Sequence, residues 1–463
     1  MADTNEKMER IVSLCKRRGF VFQGSEIYGG LRGTWDLGPL GVLLNNNIKQ
    51  EWWKFFVEQR EDMYGLDAAI LMNEKVWEAS GHTGAGFSDP VVVCNACQTR
   101  HRADHVMKEC GFEDIDGMST DEFNTKFKSS DNIMCPKCGK RDWADVKDFN
   151  LMFETKVGAE GTTKSYLRPE TAQGIFVNFK NVVDSMSPKL PFGIAQIGKA
   201  FRNEIAPREF LFRVREFEQM EIEYFVRENE WESHFETLLQ DIRAWHKHLG
   251  LSQDNIREYE VPENDLAHYS RRTIDFEYNY PGKGFDELAG FAYRTDHDLK
   301  NHQEHSGVSM EYIEPDGSNR FIPHVLEPSF GVGRALTAVL CEAYTEDEMG
   351  GETRTFLKLP VHLAPYRVAV SPLLKNKPQL VEKAREVFMM LKQEFGNVAW
   401  DDNGNVGKRY RRQDEIGTPH CVVIDFDTLG EEAPEHTDTV TVRDRDTGEQ
   451  QRVAIADLVE YLK

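Results

Sequence analysis

The sequence predicts an α+β body followed by a smaller C-terminal α/β domain. Three observations carry this. Before about residue 360, strand-like and helix-like stretches mix without strict alternation, as expected for helices around an antiparallel sheet. Near 360, "LPVHLAPYRVAVSPLLKNKP" contains four prolines and reads as a linker running into a strand. Beyond it, strands and helices alternate through a segment of about 100 residues, the size of a compact domain.

The bulk numbers fit this division. The 463 residues suffice for two or three domains with full cores, and 40% apolar with 29% charged residues is ordinary for a folded chain. No run of about 18 apolar residues occurs, which argues against a membrane span. The start, "MADTNEKMER", has no apolar segment of the secretory kind. A cytoplasmic protein without membrane association is therefore expected. Eight cysteines are too few for a disulfide scaffold. The net charge of −22 counts against nucleic acid as a partner, because phosphate contacts reward Lys and Arg. A local basic patch can still sit on an acidic body. No internal repeat or low-complexity tract is present.

Taken in order, residues 41–58 space Leu44, Ile48, Trp52, Phe55 and Phe56 at helical intervals. This is a core helix or a helix at a subunit interface. "CNAC" (Cys94, Cys97) and "CPKC" (Cys135, Cys138) are two C-x2-C turns that can complete a tetrahedral sulfur site for zinc. Residues 98–134 separate them, more than usual ribbon spacing, so that loop must carry its own structure. Free core cysteines or a redox pair are the other readings. His101 and His105 stand nearby as spare ligands or surface residues. "YLRPETAQG", 166–174, holds Arg168 and Glu170 beside a helix start.

"IAQIGKAF" reads as a strand ending at Arg202-Asn203-Glu204, and a loop through Pro207 returns into "FRVREFEQMEIEYF", 212–225. The second strand breaks the usual pattern. One face would carry Arg213, Arg215, Phe217, Gln219, Glu221 and Glu223, and the other Val214, Glu216, Glu218, Met220 and Ile222. Neither is a clean apolar side. With Arg202 and Glu204, the first face grades from cations to carboxylates. Arg forks onto phosphate oxygens, Phe217 offers a flat face to a base, and Glu221 suits an ammonium. A solvated hairpin with cross-strand ion pairs is the alternative.

Residues 231–249 form an amphipathic helix through Trp231, Phe235, Leu238, Ile242, Trp245 and Leu249, with Gly250 as its stop. "EPSFGVGRALTAVL", 327–340, places a small-residue turn before an apolar helix, with Gly331 and Gly333 allowing close backbone approach. It is not a phosphate loop of the G-x-x-x-x-G-K-[ST] kind. After the linker come strand "RVAVS", helix 378–395, strands "VAW", "CVVIDF" and "TVTVRDR", and a last helix near 455–462.

"FRNE" with "FRVREFEQMEIEYF" resembles motif 2 of the class II aminoacyl-tRNA synthetases, and "FGVGRALTAVL" resembles motif 3. Together with "VWEASGH", "RADH", "LRPETAQG", "FDELAGFAYRTDHDL" and "LEPSFGVGR", they make the chain resemble the dimeric glycyl-tRNA synthetases over more than 90% of its length. "GKRYRRQDEIGTPHCVVID" resembles the anticodon-binding domain shared by several class II synthetases. The resemblance implies a class II catalytic domain over 1–360, with a zinc-ribbon-like insertion at 91–148 and a helical insertion at about 228–270. An anticodon-binding domain would cover 361–463. Pro39 is the candidate motif 1 proline.

The resemblance also implies site residues. Arg202 would hold the α-phosphate of ATP, Glu204 the adenine edge, and Phe217 would stack on adenine with Arg334 over its other face. Glu287 and Leu288 would meet ATP, and Glu287 Mg²⁺; Arg202, Arg334 and Glu287 form the catalytic set. The ATP site would further take Asn203, Phe212, Arg213, Val214, Arg215, Glu216, Gly331, Val332 and Gly333. The glycine site would take Arg102, Glu170 and Phe217, then Glu218, Gln219, Met220 and Glu221, then Glu327, Pro328, Ser329, Phe330 and Gly331. Cys94, Cys97, Cys135 and Cys138 would hold structural Zn²⁺. "KRYRR", 408–412, would face RNA. A homodimer using ATP, glycine and tRNA(Gly) follows. A paralogue adenylating another substrate, or a non-catalytic nucleic-acid-binding protein on the same fold, are the rivals.

Overall fold

The computed structural model describes residues 2–84, 87–113, 115, 117–205, 207, 210–431 and 433–463. Its centre is a seven-stranded sheet built from β1 (Met63–Gly65), β2 (Phe192–Phe201), β3 (Glu216–Val226), β4 (Ile256–Glu260), β5 (Arg272–Tyr280), β6 (Gly284–Thr295) and β7 (His324–Gly331). The spatial order is β4-β5-β6-β7-β3-β2-β1. Neighbours run antiparallel except β1 and β2, which run parallel.

Strand β3 shows how a polar strand is accommodated. Met220, Ile222, Tyr224 and Val226 are buried in the main core with Leu44, Ile48, Trp52 and Phe56. The same core takes Phe235, Leu238, Ile242 and Trp245, and Leu336, Val339 and Leu340. One face is therefore apolar after all, apart from Glu216 at its start and Glu218, whose carboxylate accepts from Asn45 and Lys49 at 2.8 Å each. The strand begins at Glu216, four residues later than its sequence pattern predicts. Phe212–Arg215 lie outside it because the Arg215 amide donates to the Gly33 carbonyl at 2.8 Å. A distant loop thus takes a donor that the ladder would use.

The helices supply the core side. Helix Pro39–Trp53 starts with proline at its first turn, where the missing N–H costs nothing, and continues as a π-turn over Lys54–Glu58. Helix Trp231–His248 packs into the main core, and β4 joins the sheet edge. The stretch 228–270, expected as a helical insertion, thus contains a helix packed on the main core and the edge strand β4.

The inserted unit has its own sheet of Ser88–Val93, Arg100–Arg102 and Lys147–Asn150. Val92, Val106, Met107, Phe123, Phe127 and Ile133 form a separate small core there. Its helix Thr120–Ser129 opens on a capping box between Ser119 and Glu122.

The C-terminal sheet orders Val398–Trp400, Val368–Pro372, His420–Ile424, Thr439–Asp444 and Gln450–Ala454, the first three parallel. The last strand has no counterpart in the sequence reading, since "QQRVA" lacks an alternating pattern. "KRYRR" is only partly open to solvent: Lys408 is exposed, and Arg411 and Arg412 are partly so. Arg409 is buried and donates to the carbonyls of Pro372, Asp402 and Gly404. Arg412 forks onto Asp401, and Arg411 donates to the Met349 carbonyl. The arginines of helix Val406–Glu415 thus bind backbone carbonyls and the Asp401 carboxylate.

The junction between the domains is ionic. Asp414, fully buried, binds Arg443 at 2.8 and 3.0 Å, and at 3.3 Å it meets Arg354 of the hairpin strand Glu352–Leu357. Asp414→Asn leaves the buried Arg443 guanidinium short of its carboxylate, at a cost of about 3–5 kcal/mol, while Arg354 keeps its fork onto Asp347. The urea midpoint of the C-terminal domain, followed by circular dichroism, should fall accordingly. An unchanged midpoint would mean that water already reaches these charges.

Candidate active site

Residues 217, 219 and 221 point away from the helical core, because side chains alternate along a strand. They line a cavity of about 570 Å³ on the open face of the sheet. Its two ends differ in chemistry.

One end is cationic and aromatic. The Arg202 guanidinium sits 5.5 Å from the Phe217 ring centroid and 5.6 Å from that of Phe87, and its Nε donates to the Pro169 carbonyl at 3.1 Å. Arg334 binds the Glu287 carboxylate at 2.8 Å and its carbonyl at 3.2 Å. Its guanidinium lies 4.4 Å from the Phe212 ring, so Phe212 and not Phe217 is its aromatic neighbour here. Arg334 holds the Glu287 carboxyl below its ordinary pKa. Arg213 also lines the cavity, with a buried Nη1 that has no hydrogen-bond partner among the described residues. Asp275 opposite is pushed up to about 7 by burial and by Glu287.

The other end is acidic. Glu221 is buried and accepts from the Thr171 hydroxyl and, at 2.8 Å, from the Ser329 hydroxyl. Glu170 meets His82 at 3.3 Å and accepts from Gln173 at 3.0 Å. Among the described residues, Arg294 is the buried cation that hydrogen-bonds these acids directly. It forks onto Asp298 at 2.8 and 2.9 Å, donates to Glu327 at 2.8 Å, and lies 3.9 Å from the Tyr269 ring. One guanidinium does not balance Glu170, Glu221, Glu223, Glu327 and Asp298. Burial raises Glu327 to about 8 in spite of Arg294, with Glu221 adding to the rise. Burial, then Glu170, raises Glu221. Glu223 beneath is raised well above the ordinary carboxylate range by burial and by Glu327, and neither of its oxygens has a partner among the described residues. Against burial, His82 holds Glu170 low and Arg294 holds Asp298 low.

The cavity gathers most of the expected residues: Arg102, Glu170, Arg202, Glu204, Phe212, Arg213, Val214, Phe217, Glu218, Gln219, Glu221, Glu287, Glu327, Ser329, Gly331, Gly333 and Arg334. It leaves out Asn203, Arg215, Glu216, Met220, Leu288, Pro328, Phe330 and Val332. Strand alternation explains Met220, Leu288, Pro328 and Phe330, each one residue from a lining neighbour. Arg215 braces loops instead, donating to the carbonyls of Arg32 and Glu204. Glu216 pairs with Lys199. The sequence reading missed Arg294, Asp298, Tyr269, Thr171, His82 and Asp275. "RTDHD" carried the one available signal: Arg294 and Asp298 stand four apart and pair.

In the inserted unit, the sulfurs of Cys94 and Cys138 lie 3.7 Å apart, as do those of Cys97 and Cys135. All four lie within 4.8 Å of one another and none is in a disulfide. Four sulfurs on a tetrahedral zinc at about 2.3 Å would stand about 3.8 Å apart, so the set fits Zn²⁺. Hydrogen bonds from Thr99 lower the Cys97 thiol to about 6. Strand Arg100–Arg102 leaves this cluster and delivers Arg102 to the cavity, held by Asp89 at 2.9 Å and Asp104 at 2.7 Å.

A family model for the tRNA synthetase class II core domain (G, H, P, S and T) matches residues 153–344, and one for an anticodon binding domain matches 367–463. The chain is 48% identical to glycine–tRNA ligase of Clostridium tetani, over 98% of this chain and 97% of that protein. It is 48% identical to glycine–tRNA ligase of Bacillus anthracis, over 98% of both. It is 50% identical to glycine–tRNA ligase of Geobacillus thermodenitrificans, over 99% of this chain and 98% of that one.

The cysteine cluster should hold one Zn²⁺ with an all-sulfur shell. Cys97→Ser should loosen the ion and the small core around it, because metal binding there is coupled to local folding. Elemental analysis and limited proteolysis of the insertion check this. A sulfur site without zinc in protein purified free of chelator would refute it.

Proposed function

The chain belongs to the glycine–tRNA ligase family of class II synthetases, and we propose that the cavity on its seven-stranded sheet is where glycine is activated by ATP. The protein is an ATP-dependent aminoacyl-tRNA ligase. The glycine carboxylate attacks the α-phosphorus of ATP and pyrophosphate leaves, giving glycyl-adenylate. The terminal ribose hydroxyl of tRNA(Gly) then takes the glycyl group and AMP departs.

The observation that carries the assignment is the pairing, in one cavity, of a cationic aromatic end with an acidic end short of positive charge. Triphosphate and base suit the first, and an ammonium suits the second. No protein nucleophile is required. Arg202 and Arg334 act by position, placing fixed charge where negative charge develops. The carboxylates of Glu287 and Asp275 are hard oxygen donors suited to Mg²⁺ brought in with ATP, which would neutralise phosphate charge. The zinc cluster supplies no reacting group in this reading; it anchors the strand that carries Arg102.

The acid end also accounts for choosing the smallest amino acid. Glu170 and Glu221 take the ammonium, Arg102 helps fix the carboxylate end, and Ser329, already committed to Glu221, closes the wall beside the α-hydrogens. A methyl group there displaces a charged hydrogen bond, about 1.5–3 kcal/mol, and overpacks the site, about 1–3 kcal/mol. These together reach about a thousand-fold rejection of alanine. The same reading takes the chain as a cytoplasmic homodimer. No helix among the described residues is long and apolar enough to cross a membrane.

Arg202→Ala should lower glycine-dependent ATP–pyrophosphate exchange by roughly a hundred-fold, the loss typical of one transition-state charge contact, while the melting temperature stays near wild type. Exchange at the normal rate would contradict the phosphate assignment.

Glycine should release protons as it binds. With Glu327 at about 8, that carboxyl is mostly protonated at pH 7, and an arriving ammonium favours its ionised form. Calorimetry in buffers of different ionisation enthalpy reads the release. Without glycine, the stability tied to Glu327 is complete below the unfolded carboxyl pKa of about 4.3 and is lost as pH rises through about 8. Glu170→Gln and Glu221→Gln should lose glycine activation steeply while still binding ATP. Wild-type KM for glycine in both would place the ammonium elsewhere.

A further inference from the structure

Outside the cavity, three side chains with metal-binding chemistry meet where the catalytic body joins the linker to the C-terminal domain. Glu51 lies on helix Pro39–Trp53, His248 ends helix Trp231–His248, and His362 lies in the linker. One ligand atom from each lies within 4.8 Å of the other two. His248 Nε2 is 2.8 Å from Glu51 Oε2, and the two imidazole centroids are 4.4 Å apart. All three are partly exposed, so an ion has access.

We infer that Glu51, His248 and His362 form a second metal site, distinct from the four cysteines, for a first-row divalent ion such as Zn²⁺. Two imidazoles and one carboxylate with an open fourth position are a donor set that Zn²⁺ accepts. His362 already has the outer support that metal-bound histidines use: its Nε2 lies 3.0 Å from the His248 carbonyl, which leaves Nδ1 for the ion. Tetrahedral nitrogen and oxygen ligands at about 2.0–2.1 Å stand about 3.4 Å apart, so the three side chains must draw together around the ion. Rotation of part-exposed side chains supplies that. On binding, the ion replaces the proton between His248 Nε2 and Glu51, which goes to solvent. The bound ion would clip the linker to two helices of the body, restraining the C-terminal domain at its root. This site is independent of the assignment of the cavity.

The test uses the full-length protein and Zn²⁺ alone, without ATP, glycine or tRNA. After dialysis against buffered zinc, elemental analysis should find two ions per chain, and X-ray absorption should show imidazole scattering besides sulfur. His362→Gln and Glu51→Gln should retain one ion, bind the second at least about 100-fold more weakly, and keep ATP–pyrophosphate exchange. One ion in the wild type, a purely sulfur shell, or two ions in both variants would overturn the site. The absorption measurement needs no variant, so a folding defect in either one leaves the proposal testable.

Discussion

The buried guanidinium of Arg294 is the interaction on which the rest of the site depends. It reaches Asp298 and Glu327 together, lies against Tyr269, and sits where the carboxylates of three elements converge. Removing one partner of such a group leaves uncompensated buried charge, which costs more than the group contributes when intact. Arg294 also leaves the acid end short of positive charge. A second buried cation would neutralise the site and remove its attraction for an ammonium. Without Arg294, the acids would take up protons and lose the charge that recognises one.

This arrangement requires a sheet with two different faces. Strand β3 puts Met220, Ile222 and Tyr224 into a core of helices and turns Phe217, Gln219 and Glu221 to the cavity. Strands β6 and β7 beside it do the same with Glu287 and Leu288, and with Ser329 and Phe330. Register then brings side chains from separate strands together. Ser329 lies opposite Glu221 in the β3–β7 pairing, and their side chains hydrogen-bond. A one-residue slip would turn every one of these groups into the core.

The peripheral parts solve a different problem. The insertion has a small core of its own, and its four converging sulfurs offer the kind of support that small units take from a metal. The C-terminal domain ties itself to the body through Asp414, Arg354 and Arg443, and through Arg445, which donates to the carbonyls of Leu359 and Gly417. Arginine suits this work because its five donors can satisfy several carbonyls from one buried position. The same property draws Arg409 of "KRYRR" inward.

Much of the site was legible before any coordinates. The spacing of Cys94, Cys97, Cys135 and Cys138, the graded face of residues 213–223, and the glycines before Arg334 each have a local chemical meaning. The family resemblance then linked them. Helices Trp231–His248 and Pro378–Phe395 were equally plain, because apolar periodicity is a property of consecutive residues. What the sequence could not show depends on distant groups. Arg215 reads like a phosphate ligand until the loop at Arg32 and Gly33 claims it, and Arg409 reads like part of an RNA surface until the carbonyls of Pro372, Asp402 and Gly404 take it inward. His82 and Arg294 lie inside "VWEASGH" and "FDELAGFAYRTDHDL", stretches that give neither a role singly, and Tyr269 lies in none. Their roles come from a pocket closed by segments more than a hundred residues apart, where burial and neighbouring charge decide which groups ionise. Composition and spacing determine which chemistry the chain carries; only the folded arrangement decides which of those charges face a ligand and which hold the fold, because charge acts through distance and burial in space, not through order along the chain.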